Sequence, residues 1–129
     1  MKAAYLKTKS TFILWDVERM IRDMKSRKLV STVRAIPIAN LIDPRDGVDY
    51  DVMGCDVNTF PIVVFLAPDK YRVLTGEEQI IKARQMDCKT ISCYTFQPKQ
   101  HKNYIIDYDE DAYLRAIEEY WEGDLHDEE

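Results

Sequence analysis

The sequence predicts a single mixed α/β domain, a small mixed sheet flanked by helices. Residues 60–66, FPIVVFL, are a continuous apolar and β-branched run, the pattern of a strand buried on both faces. Residues 71–91, YRVLTGEEQIIKARQMDCKTI, pass from strand through one glycine into a helical pattern and back to strand. The chain has 129 residues, 46% of them apolar, enough for one domain with its own core.

Each element follows from local pattern. Residues 12–28 (FILWDVERMIRDMKSRK) place Ile13, Val17, Met20, Ile21 and Met24 on one helical face. Asp16 offers a second solution, an N-cap preceded by an extended FILW. Residues 34–41 alternate and contain Pro37, an edge-strand pattern. DPRDG (43–47) is a turn in which Pro44 presets φ and Gly47 permits the return. Residues 48–59 have no period and read as a loop or broken helix. After the buried strand, APDK turns the chain into a second strand, YRVLT. Residues 77–87 then form a helix whose inner face begins with Ile80, Ile81 and Ala83 or Arg84. TISCYTF (90–96) is a strand, QPKQHKN a polar loop and YIID (104–107) a short strand. DEDAYLRAIEEYW is a helix with acids in its first turn, as the dipole prefers, and GDLHDEE reads as frayed and solvated. The expected organisation is an N-terminal helical extension (1–33), a core (34–106) and an acidic C-terminal helix and tail (107–129).

Composition removes several function classes. No apolar run approaches the length of a membrane span, and the short FILW patch lacks the core and cleavage site of a signal peptide, so a cytoplasmic protein is expected. Cys55, Cys88 and Cys93 are odd in number and form no CxxC pair, which favours buried thiols over a disulfide framework or zinc site. His101 and His126 do not stand at metal-ligand spacing, and no metal site is expected. The net charge of −5 argues against direct nucleic-acid binding. That charge is uneven. Residues 1–34 carry nine Lys/Arg against three Asp/Glu, and residues 107–129 one Arg against eleven Asp/Glu. Either the two ends attract each other or each faces a separate partner. The basic run of Arg19, Arg22, Lys25, Arg27 and Lys28 fits the solvated side of a helix better than a nucleic-acid face. Asp107, Asp109 and Asp111 lack an EF-hand's glycine and distal glutamate, and read as helix capping rather than a cation site.

The order of fragments IPIANLIDPRD, FPIVVFL, YRVL, Gly76-Glu77, Ala83 and Lys89-Thr90-Ile91 resembles the N-terminal domain of ParB partition proteins and their sulfiredoxin-like relatives. The likeness spans about residues 34–96 and runs without a gap from Pro61 to Thr95. It implies the fold of that family and a glycine–helix junction that holds nucleotide phosphates. There, backbone N–H groups and the helix dipole act together with the arginines of a GERR motif. In this chain the motif reads Gly76-Glu77-Glu78-Gln79, so both arginines are replaced. Two unit charges about 4 Å apart interact by roughly 4 kcal/mol at an effective dielectric near 20, so arginine-to-glutamate at Glu78 turns attraction into repulsion. The sulfiredoxin branch needs a cysteine where Glu77 stands, which excludes its chemistry at this position.

As structural residues, Glu77 and Glu78 complement the helix dipole by about 0.3–1 kcal/mol each. As functional ones, Glu77 would be a general base or metal-binding carboxylate. Arg45, in the family's Pro-Arg position, would then be the best remaining phosphate contact, with Lys82 and Arg84 less well placed along the helix. The expectation is a stand-alone, non-catalytic module that binds a protein partner and needs no cofactor; the resemblance suggests a plasmid or phage setting. The first alternative is a nucleotide-binding enzyme with magnesium, centred on Glu77. The second is an acidic mimic of nucleic acid, in which Tyr120 and Trp121 with Glu118 and Glu119 would meet a basic protein.

Overall fold

The chain opens with a β-hairpin. In the computed structural model, which describes residues 3–42 and 60–127, β1 (Ala3–Lys7) pairs antiparallel with β2 (Phe12–Asp16). The second solution for this window therefore holds. Phe12, Ile13, Leu14 and Trp15 are extended-chain formers, and the helix starts only where a cap is available. The Asp16 carboxylate accepts the Arg19 N–H at 3.0 Å and starts α1 (Val17–Lys25). The predicted helical extension is thus half strand. Helix α1 closes with Arg27 at φ 64° and with the Leu29 N–H bonded to the Asp23 carbonyl at 3.0 Å.

The main sheet follows. It comprises β3 (Thr32–Pro37), β4 (Leu41–Ile42), β5 (Ile62–Ala67), β6 (Lys70–Thr75) and β7 (Thr90–Phe96), in the order β3-β7-β5-β6-β4. A 3-10 turn, Ile38–Asn40, ends the expected edge strand early. Pairing is mixed: β3 with β7 and β5 with β6 run antiparallel, whereas β5 with β7 and β4 with β6 run parallel. The apolar run foreseen as central does lie at the centre, as β5. Helix α2 (Glu77–Gln85) makes the crossover from β6 to β7. The turn and loop expected over residues 43–59 lie outside the described residues.

Strand alternation divides the core into two layers. Ile62, Val64 and Leu66 of β5, with Leu74 and Phe96, meet Leu6, Ile13 and Trp15 of the hairpin, Val17 and Met20 of α1, and Tyr113 and Ala116 of the last helix. On the opposite face Ile36, Val63, Val73 and Cys93 meet Ile80 of α2. The N- and C-terminal segments thus share one core with the sheet, giving one mixed α/β domain.

After β7 the chain departs from expectation. The polar stretch is a short helix, α3 (Pro98–His101), with proline at its first position and the Gln100 side-chain oxygen accepting the Gln97 N–H at 3.0 Å. A 3-10 turn, Lys102–Tyr104, follows. The predicted strand 104–107 is reduced to a single bridge between Ile105 and Trp15. Helix α4 (Glu110–Asp127) runs on into the segment expected to fray. Asp109 caps it, accepting the N–H groups of Asp111 and Ala112 at 2.9 and 3.2 Å.

Candidate functional site

The strand–glycine–helix junction is built by Gly76 at the end of β6. Its φ is +87°, a left-handed conformation that glycine adopts without strain, and its carbonyl accepts from Gln79 and Ile80 at 3.1 and 3.3 Å. A Cβ at this position would lie 2.6 Å from Pro61 Cα, 2.7 Å from Pro61 Cβ and 2.9 Å from Gln79 Oε1. The glycine thus answers to the chain itself. It lets Pro61, the buried residue leading into β5, cross against the loop, and the Gln79 amide folds over the same spot.

Glu77 and Glu78 occupy the first turn of α2, both half-buried, at the positive end of the helix dipole. Lys82 and Arg84 are exposed in its last turn, where cations complement the opposite end. The structure therefore brings Gly76, Glu77, Glu78 and Gln79 together and leaves Lys82 and Arg84 at the far end of the helix. Arg45 lies outside the described residues. Among the described residues no group of three His, Cys, Asp or Glu side chains is placed to hold a metal ion.

The residues expected at an acidic partner face have different fates. Glu118 is exposed. Glu119 reaches back to the β1–β2 turn, where it accepts from the Thr8 hydroxyl at 2.8 Å, the Ser10 N–H at 2.9 Å and the Ser10 hydroxyl. The Ser10 and Thr8 bonds hold its carboxyl below the usual carboxylate range. Glu119 is a fastener between α4 and the hairpin rather than an open contact. The side chains of Tyr120 and Trp121 lie outside the described residues.

Sequence reasoning missed the most enclosed polar group, His101. Its ring is fully buried between three elements. Nδ1 accepts from Trp15 Nε1 at 3.2 Å, and Nε2 donates to the Phe65 carbonyl at 2.9 Å. Tyr113 of α4 lies against the ring, at a centroid separation of 6.0 Å. Burial pushes His101 down to about 4, so it is neutral at physiological pH and holds strands and helix together. The signal was available in Pro98 and in the three-residue spacing of Gln97 and Gln100, which mark a helix that turns His101 inward.

Two further buried groups link the layers. Arg72 of β6 donates to the Val73 carbonyl at 2.8 Å and to the Tyr5 carbonyl of the hairpin. The Tyr104 hydroxyl donates to Asp23 of α1 at 2.7 Å, and Arg19 stacks on the Tyr104 ring at 4.6 Å. Burial pushes the Cys93 thiol up to about 12, which removes the thiolate a nucleophile requires. Among the described residues no ion pair joins α1 to α4, and Lys102–Glu110 at 3.7 Å is a local pair.

No known protein-family model matches the sequence, and no curated protein matches it significantly.

Proposed function

We propose that the chain is a ParB/sulfiredoxin-like module without catalytic activity of its own, which works by binding a protein partner. The observation that carries this reading is the filled junction. Pro61 and Gln79 crowd the Gly76 loop, and Glu77 and Glu78 bring negative charge to the first turn of α2, where a phosphate would need N–H groups and cations. The acids complement the dipole that an anionic ligand would otherwise use. The enclosed nucleophile and base candidates support the same conclusion, since Cys93 is held protonated and His101 has both ring nitrogens engaged. What remains accessible is surface. Phe12, Val30, Val33 and Met86 are exposed apolar side chains on β2, before and within β3, and after α2.

The test is calorimetric titration of the whole chain with CTP, ATP and GTP in the presence of magnesium. No saturable heat is expected for any of them. Low-micromolar affinity, removed by Glu77→Gln or by a substitution at Gln79, would move the assignment to a nucleotide-dependent activity at residues 76–79.

A further inference from the structure

Among the described residues no strand pairs with the outer edge of β3. Its neighbour among the described strands is β7 alone, and Ile36 is its single buried residue. Two hydrogen bonds reveal which way its backbone groups point. Ile38 N–H donates to the Lys89 carbonyl at 3.0 Å, one step beyond the Pro37–Thr90 pair. On the far side of β7, Tyr94 N–H donates to the Pro61 carbonyl at 2.8 Å. Backbone groups in an antiparallel pair alternate sides from residue to residue. Thr32, Arg34 and Ile36 therefore face β7, and Val33 and Ala35 direct their N–H groups outward. Pro37 holds the next outward position, where the missing N–H costs no ladder bond.

The chemistry beside this edge is apolar and basic. Val33 is 46% exposed and is the cross-strand partner of Tyr94, and Phe60, 43% exposed, lies edge-on to the same ring at 5.4 Å. Arg27 and Lys28, just before β3, and Arg34 within it are exposed, and no described carboxylate forms an ion pair with them. We propose that β3 receives an extended acidic segment of a partner protein, added to the sheet as a further strand. The carbonyls of that segment accept from Val33 and Ala35, its acids face the three cations, and its apolar residues cover Val33 and Phe60. A second copy of β3 is a poor occupant, because antiparallel self-pairing would draw two sets of like charges together. The proposal rests on the partner-binding reading above and gives that partner its chemistry.

The probe is a fluorescent peptide of alternating glutamate and valine. Its lysine–valine counterpart and a DNA duplex of similar length serve as rivals. Binding is followed by anisotropy, and the contact is located by amide chemical shifts on the isotopically labelled full chain. The acidic peptide is expected to bind in a salt-sensitive way, with the largest shifts at residues 33 and 35. Ala35→Pro deletes one outward donor without touching the β7 ladder and is expected to weaken binding about tenfold, as loss of one backbone hydrogen bond does. The charge-reversed triple variant Arg27→Glu, Lys28→Glu, Arg34→Glu provides a second check that is independent of backbone geometry. Equal binding of the basic peptide, preference for DNA, or no binding at millimolar peptide overturns the proposal. Peptide shifts at another surface overturn the β3 assignment and leave partner binding standing, whereas nucleotide binding at residues 76–79 overturns the underlying reading itself.

Discussion

Gly76 shows how one residue serves two readings. From sequence, a glycine between strand and helix suggests room for a ligand. In the fold its missing side chain is the space through which Pro61 passes, and its φ of +87° adds a second reason for glycine. Gly76→Ala is expected to cost about 2–4 kcal/mol, combining left-handed strain of roughly 1–2 kcal/mol with the penalty of overpacking. Urea unfolding monitored by circular dichroism measures it. A loss below that of an ordinary surface substitution would show that Pro61 yields. The four motif residues were all legible in the sequence, because they are contiguous and their conformation is local. What they face was not, because Pro61 stands fifteen positions earlier.

Among the elements, helix ends were read better than helix extents. The Asp16 cap was visible as an alternative, and it prevailed because the four residues before it pair with β1. The end of α2 follows the same local logic. Asp87 sits there at φ 58°, with its N–H bonded to the Arg84 carbonyl and the Cys88 N–H bonded to the Ala83 carbonyl, at 3.1 and 2.9 Å. A non-glycine residue in that left-handed position carries strain that glycine relieves. Asp87→Gly is therefore expected to stabilise the protein by about 0.5–1 kcal/mol, seen as a higher urea midpoint with an unchanged slope. The short α3 was missed because a four-residue helix has too few turns to show a period. The strand at 104–107 failed for another reason: its single pairing site is Trp15, a position set by the hairpin.

At the scale of the whole molecule, His101 contributes to the response to acid. It joins β2, β5 and α4 through Trp15, Phe65 and Tyr113, and burial lowers its folded-state value from 6.5 to about 4. The unfolded chain therefore binds a proton at higher pH than the folded chain does. Its contribution is complete above pH 6.5 and is lost progressively as the pH falls toward 4. A shift of that size corresponds to about 3 kcal/mol. The melting temperature is expected to decline across this window in the parent chain and to decline less in His101→Gln. An identical decline in both would assign the acid sensitivity to other groups.

The sequence by itself determined the mixed α/β class, the central apolar strand, the strand–glycine–helix unit and the uneven charge, because each depends on neighbours within about a helical turn or one strand. Only the tertiary structure decided that the N-terminal hairpin and α4 close over one sheet face, that Glu119 is tied to the β1–β2 turn and that His101 is interior, whereas Pro37 had already marked β3 as an edge. Those outcomes depend on contacts between residues 36 to 111 positions apart, such as Phe65 with His101 and Thr8 with Glu119. Burial is a property of assembled layers. A linear pattern can show which residues are able to pack, and the choice among packing partners is made only when the layers meet.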